Sequence, residues 1–257
     1  MNLKKIKLFV MDMDGTIHLG GEPFEWTLPF LNYLKEKRIK YVFLTNNSSK
    51  SAKDYQKMLE NMGIENPVVF TSGEATARYV KRKYPGKSVY ILGTENLVNV
   101  FKEFDIRIDE ENPDVLILGY DTTATYEKIR RFALHLRKGL PYIATHPDVN
   151  CPSKEGFIPD AGSFIALFRE STDREPDFIV GKPNPQMLYE IADAYSVDIS
   201  EVAMIGDRLY TDIKMAIDAG AIPILVLSGE TKEADIPDNI RNKIIVVENI
   251  GNIAKNF

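Results

Sequence analysis

Ile6-Lys7-Leu8-Phe9-Val10-Met11-Asp12-Met13-Asp14-Gly15-Thr16 carries an apolar run that stops at two carboxylates and a glycine. A short run rich in Leu, Val and Phe, ended by acids and Gly, has the signature of a buried strand leaving its sheet. Two later runs end the same way: 41–44 stops at Thr45, and 202–205 stops at Gly206 and Asp207. In open α/β sheets ligands sit beyond the carboxyl ends of the strands, so three polar ends far apart in sequence can meet in space.

Outward from these runs, apolar β-branched stretches alternate with amphipathic ones along almost the whole chain, the pattern of parallel strands joined by crossover helices. Helices are predicted over 26–37, 50–62, 186–194 and 212–219, the last closed by Gly220. Between Thr45 and Lys182 the chain has an alternation of its own, with strands at 89–92, 115–118 and 142–144 and helices at 95–104 and 126–138. The expected fold is therefore α/β, with a discontinuous core over residues 1–77 and 178–257 and an inserted α/β domain over 78–177. A chain of 257 residues suits two domains, since single cores stop growing near roughly 250 residues.

Composition narrows the function. Hydrophobic residues make up 44% and charged residues 27%, a globular balance. The net charge of -5, with Lys and Arg spread evenly, offers no basic patch for nucleic acid. Cys151 stands alone, which removes any intramolecular disulfide. The apolar run after the N-terminal lysines is interrupted by Asp12 too early for a signal peptide, and no run approaches the roughly 18 apolar residues needed to cross a bilayer. A cytoplasmic protein without membrane or nucleic-acid partners is expected.

Asp12 and Asp14, at i and i+2 after a strand, crowd two negative charges, and a cation is one reason to do so, because magnesium binds through one or two carboxylates plus phosphate oxygens. Turn geometry would explain Asp14-Gly15 but not Asp12. An EF-hand counted from Asp12 would need Gly at its sixth position and an acid at its twelfth, where Ile17 and Pro23 stand. Gly86-Lys87-Ser88 lacks the first glycine of a P-loop, since Lys81 occupies that position. His18, His135 and His146 are scattered and read as surface or packing residues. Thr45-Asn46-Asn47-Ser48 offers a hydroxyl and backbone N–H groups before a helix, suited to phosphate but also ordinary turn chemistry. Lys182, in Gly181-Lys182-Pro183, puts a cation at a strand end. Asp207 lies beside another strand end, and Asp212 opens the next helix, where an N-cap and a site role are both open.

In the order Asp-x-Asp, Thr, Lys, Asp, these motifs resemble those of the haloacid dehalogenase superfamily. Asp12-Met13-Asp14-Gly15-Thr16 is similar to its first motif, Thr45 to its second, Lys182 to its third, and Gly206-Asp207 with Asp212 to its fourth. The insertion between the second and third motifs, with Leu44-Thr45-Asn46-Asn47-Ser48 and Gly181-Lys182-Pro183, resembles the NagD-like or 4-nitrophenylphosphatase-like branch. Two cap strings, Thr145-His146-Pro147-Asp148 and Pro159-Asp160-Ala161-Gly162-Ser163, depart from that pattern, which leads one to expect Asn in place of His146 and Gly in place of Asp160.

The resemblance implies a Rossmann-like core and a phosphatase acting on small phosphate monoesters such as sugar phosphates, nucleoside monophosphates, glycerol phosphates or 4-nitrophenyl phosphate. It implies Asp12 as nucleophile, forming an aspartyl-phosphate, and Asp14 as general acid and base. Mg2+ would be held by the Asp12 carboxylate, the Asp14 backbone carbonyl and the Asp207 carboxylate, with Asp212 behind them. Thr45, Asn46 and Lys182 would hold the phosphoryl oxygens. Dimerisation through the cap would fit the family. A phosphomutase shares the first half-reaction. A receiver-like signalling module uses similar residues, but Asp14 would promote hydrolysis of its phosphoryl group and the insertion would serve no purpose there.

Overall fold

The computed structural model describes residues 5–153 and 156–254; Lys4, first of the N-terminal lysines, lies outside them. The chain forms two compact units, one holding the residues up to Thr45, Lys53–Phe70 and those from Lys182 onward, the other Asn46–Ala52 and Thr71–Gly181. The mixed α/β architecture with parallel sheets expected from the alternation is present.

The first unit is built on a six-stranded sheet in the order Ile245–Val247, Ile222–Val226, Val202–Gly206, Leu8–Met11, Lys40–Thr45, Val69–Thr71. Leu8–Met11 is central and pairs in parallel with both neighbours, Met11 lying level with Ile205 on one side and Phe43 on the other. Leu8, Phe9, Val10 and Met11 are wholly buried, as a strand covered on both faces requires, each contributing roughly 1.5–3 kcal/mol by leaving water. Phe9 meets Phe30 of helix Thr27–Glu36 edge to face at 5.9 Å. Because neighbouring connections leave Leu8–Met11 toward opposite sides, the sheet changes winding direction there, and its carboxyl end is the natural place for a site.

The second unit has a four-stranded parallel sheet in the order Phe178–Ile179, Tyr142–Ala144, Val115–Leu118, Val89–Leu92. Phe132 of helix Tyr126–Arg137 packs between Tyr142 at 5.4 Å and Phe168 at 4.7 Å, at the centre of an aromatic and aliphatic core. Phe168 comes from helix Ala161–Thr172, whose N-cap is Asp160. An antiparallel hairpin, Asn150–Ser153 with Gly156–Pro159, precedes that helix. Among the described residues no helix is long and apolar enough to cross a membrane.

Candidate active site

The loop after Leu8–Met11 turns back at once: the His18 and Ile17 N–H groups both reach the Met13 carbonyl, and Gly15 N–H donates to the His18 carbonyl at 2.8 Å. Gly15 has φ +77°, and a Cβ there would fall 2.5 Å from Oδ2 of Asp207, so both the turn and the approach of a second loop demand glycine. The turn leaves Asp12 at the strand end, anchored by its N–H to the Ile205 carbonyl at 2.9 Å, while the Asp14 side chain remains 68% exposed.

Four of the residues singled out from sequence converge here. Lys182 is buried and its Nζ lies 2.5 Å from Oδ1 of Asp12 and 2.7 Å from Oδ1 of Asp212. Asp12, Asp207 and Asp212 offer carboxylate oxygens all within 4.8 Å of one another. Asp207 Oδ2 accepts the Glu230 N–H at 2.7 Å, whereas its Oδ1 is buried with no hydrogen-bond partner among the described residues. Asp212 does not open a helix: it lies in a π-helical turn, Leu209–Ile213, ahead of Lys214–Ala219, and its Oδ2 accepts the Arg208 N–H at 3.3 Å. The wider turn carries its carboxylate inward to Lys182 instead of leaving it as a cap.

Three acids lie close to one ammonium, with the Arg208 guanidinium beside Asp12 and Asp207. Burial, then the neighbouring Asp12 charge, pushes the Asp207 carboxyl up to about 6. Burial also raises Asp212, with Lys182 opposing and Asp12 and Asp207 reinforcing the shift. For Lys182 burial acts downward, but the Asp12 and Asp212 charges outweigh it and the ammonium is held charged. Asp14 differs: burial acts upward, yet contact with His18 and the charges of Arg208 and Lys182 draw its carboxyl below the usual value. His18 Nδ1 stands 3.3 Å from Asp14 Oδ1, and both its ring nitrogens are buried with no hydrogen-bond partner among the described residues.

Thr45 closes the Lys40–Thr45 strand, beside Leu8–Met11 in the same sheet. Asn46 begins the other unit, where its Nδ2 donates to Asp148 Oδ2 at 3.1 Å.

A model of the haloacid dehalogenase-like hydrolases matches residues 9–107, and a second, HAD-hydrolase-like model matches 179–253. An acid sugar phosphatase of Staphylococcus aureus is 35% identical over 237 residues, 91% of each chain. The chain belongs to the haloacid dehalogenase-like hydrolases. Among solved structures, a 4-nitrophenylphosphatase of Thermotoga maritima is 48% identical with a TM-score of 0.93, covering 98% of both chains. NagD of Escherichia coli K-12 is 29% identical with a TM-score of 0.89, over 96% of this chain and 97% of that one. These relatives place the chain among the phosphatases of the superfamily, the NagD-like and 4-nitrophenylphosphatase-like branch anticipated from its motifs.

Phosphatases of this superfamily generally use a divalent metal. The donor set here fits one: three convergent carboxylates, one carrying a buried oxygen with no hydrogen-bond partner among the described residues. Sequence reasoning did not single out the segment after strand Ile222–Val226, where Ser228 Oγ donates to the Gly15 carbonyl at 2.7 Å and Glu230 N–H holds Asp207. Its signal was available, since Ser228-Gly229 follows a fourth apolar run in the way the other site loops do. His18 was read as incidental, and nothing local in the sequence marks it as a neighbour of Asp14.

Proposed function

We propose that this haloacid dehalogenase phosphatase hydrolyses small phosphate monoesters, sugar phosphates foremost, through an aspartyl-phosphate on Asp12 with Mg2+ as its metal. The observation that carries this reading is the clamp of Lys182 on Asp12 and Asp212 beside the unsatisfied Asp207 oxygen. A buried lysine that pins one oxygen of a strand-end aspartate fixes the rotation of that carboxylate, leaving the other oxygen to meet phosphorus. The first unit is read as the catalytic core and the second as the inserted cap.

The carboxylates of Asp12 and Asp207 and the backbone carbonyl of Asp14 would hold the ion, with Asp212 orienting the set through Lys182 and the Arg208 N–H. When bound, Mg2+ offsets the repulsion between an anionic nucleophile and an anionic ester. Asp12 attacks phosphorus; the P–O bond to the alcohol breaks as the P–O bond to Asp12 forms, and the leaving oxygen takes a proton from Asp14. Water then attacks the phosphorus and gives its proton to Asp14 as the P–O bond to Asp12 breaks, which frees the Asp12 carboxylate and inorganic phosphate. The His18 contact and the charges of Arg208 and Lys182 draw the Asp14 carboxyl below its usual value against burial, and a phosphate dianion beside it shifts it back upward. Thr45, the backbone N–H of Asn46 and Lys182 receive the remaining phosphoryl oxygens, the positioning that supplies most of the catalysis in phosphoryl transfer.

The sugar phosphates come first because a curated relative carries that activity in its name, and 4-nitrophenyl phosphate is the convenient reporter. The test is a screen of sugar phosphates, nucleoside monophosphates and glycerol phosphates with magnesium, followed by acid quench and mass spectrometry of the peptide containing Asp12. A phosphorylated Asp12 during turnover is expected; label on any other residue would overturn the assignment.

A further inference from the structure

His146 and Asp160 face each other in the second unit. His146 Nε2 lies 2.8 Å from Oδ1 of Asp160, and both residues are buried. The same Oδ1 accepts the Ala161 N–H at 2.6 Å, capping helix Ala161–Thr172. A carboxylate oxygen that only accepts assigns the proton to Nε2 and leaves Nδ1 as an acceptor. Nδ1 is 2.9 Å from Thr145 Oγ1 and 3.4 Å from Ser72 Oγ.

Both hydroxyls lead to one turn. Ser72 Oγ donates to the Asn46 carbonyl, and Thr145 Oγ1 lies 3.0 Å from Ser48 Oγ, which accepts the Tyr120 N–H at 2.9 Å. Asp148, two residues after His146, accepts Asn46 Nδ2. The same loop backs a second segment: Gly181 N–H donates to the Thr145 carbonyl at 2.8 Å, and a Cβ on Gly181 would fall 2.7 Å from Cβ of His146. Asn46 directly follows Thr45, and Gly181 directly precedes Lys182.

A helix cap alone does not explain this arrangement, because Asp160 caps the helix without help from an imidazole. An apolar side chain would fill position 146 without needing polar partners, whereas the ring present is bonded to Asp160 on one side and on the other to the Thr145 hydroxyl, which meets Ser48, and it packs beside Ser72, whose one proton goes to the Asn46 carbonyl. Such fully partnered buried networks fix one backbone arrangement. We infer that His146 and Asp160 are positioning residues for the turn that receives the phosphoryl group, an inference that rests on the assignment of Thr45, Asn46 and Lys182 to phosphoryl oxygens. Neither residue touches substrate in this scheme. Their effect reaches whatever the turn binds, and the phosphoryl group is common to every substrate and to the product.

The experiment uses the full chain with magnesium and measures the Ki of inorganic phosphate, with kcat and KM for 4-nitrophenyl phosphate and one sugar phosphate. The variants are His146→Ala, Asp160→Ala, Asp160→Asn and Ser72→Ala. In His146→Ala, Asp160→Ala and Ser72→Ala the phosphate Ki and both KM values should rise together by roughly tenfold, the size of one buried hydrogen bond. Asp160→Asn keeps an acceptor for both donors and should stay within about twofold of the parent. If His146→Ala does not fold, the contrast of Asp160→Ala with Asp160→Asn carries the test, while Ser72→Ala shows how far Ki moves when a bond to the Asn46 carbonyl itself is lost. An unchanged phosphate Ki in the folded variants, whatever their melting temperatures, would overturn the inference, as would KM values that move for the sugar phosphate alone. Thr45→Ala separates the two levels. If it raises the phosphate Ki while the network variants do not, only this inference falls; if it too leaves Ki unchanged, the phosphate-site assignment fails and the inference with it.

Discussion

Asp12 and Lys182, 170 residues apart in sequence, meet at 2.5 Å. The first follows a buried strand and the second is a buried cation that also meets the wholly buried Asp212. On the proposed mechanism, an Asp12 held in this way has lost its rotational freedom before substrate arrives, as a covalent nucleophile needs. The same pair is costly to break on one side only, because the partner left behind is a charge out of water.

Asp12→Asn should therefore remove turnover almost entirely, by on the order of a thousandfold or more, while leaving the fold intact. The amide is nearly isosteric, and Lys182 keeps Asp212 as a partner. Activity and thermal melting of the pure variant are the measurements, and substantial residual hydrolysis would remove Asp12 from the role.

Asp14→Asn should lose the contribution of proton transfer, about a hundredfold to ten-thousandfold on alkyl esters. The loss in forming the aspartyl-phosphate should be smallest with 4-nitrophenyl phosphate, whose leaving group barely needs a proton. Single-turnover comparison of the two ester types checks it; equal losses would give Asp14 a different task.

Asp207→Asn should raise the magnesium concentration that gives half-maximal activity, because it removes one of the few anionic ligands available. Asn can still accept the Glu230 N–H, so the loop after Ile222–Val226 should keep its place. Magnesium titration of the parent and variant reads the effect, and an unchanged requirement would move the metal away from Asp207.

How far the sequence carried these expectations depends on the range of each signal. Strands Val89–Leu92, Val115–Leu118 and Tyr142–Ala144 fall where their uninterrupted apolar runs placed them, since a strand buried on both faces needs no more than such a run. Helix Ser72–Lys83 was missed. It follows only three strand residues, begins Ser-Gly-Glu, and owes its start to the Thr71 side chain accepting the Glu74 N–H. Strand Ile222–Val226 was obscured by Pro223, and Ile245–Val247 by being short and only half-buried. The convergence of Asp12, Lys182, Asp207 and Asp212 was legible because each follows a run that reads as a strand. The inward place of Asp212 was not, since a π-helical turn is a one-residue difference in hydrogen bonding with no compositional mark. The His146–Asp160 contact was hidden for another reason: its partners are 14 and 74 residues away, and no local pattern records that.

Lys182 offers the most demanding test, because in this site it and the divalent ion answer the same electrostatic problem. Asp12, Asp207 and Asp212 bring three carboxylates within 4.8 Å of one another, and Lys182 is the cation bonded to two of them. Lys182→Met keeps the buried chain and deletes the charge. Without metal, the variant faces mutual repulsion and two carboxylate oxygens that have lost a donor, a change that costs about 3–5 kcal/mol when a buried pair is broken on one side. The first unit should then melt lower by roughly 10 °C in chelator. Saturating magnesium binds the native arrangement and not the unfolded chain, so it should recover much of that loss. It should recover little activity, since on the proposed mechanism the ammonium both orients Asp12 and receives a phosphoryl oxygen. Thermal melts of parent and variant in chelator and in magnesium, with kcat measured beside them, settle the point. A deficit of equal size in both conditions would mean that the ion does not share the carboxylates with Lys182, and the metal assignment would have to be moved.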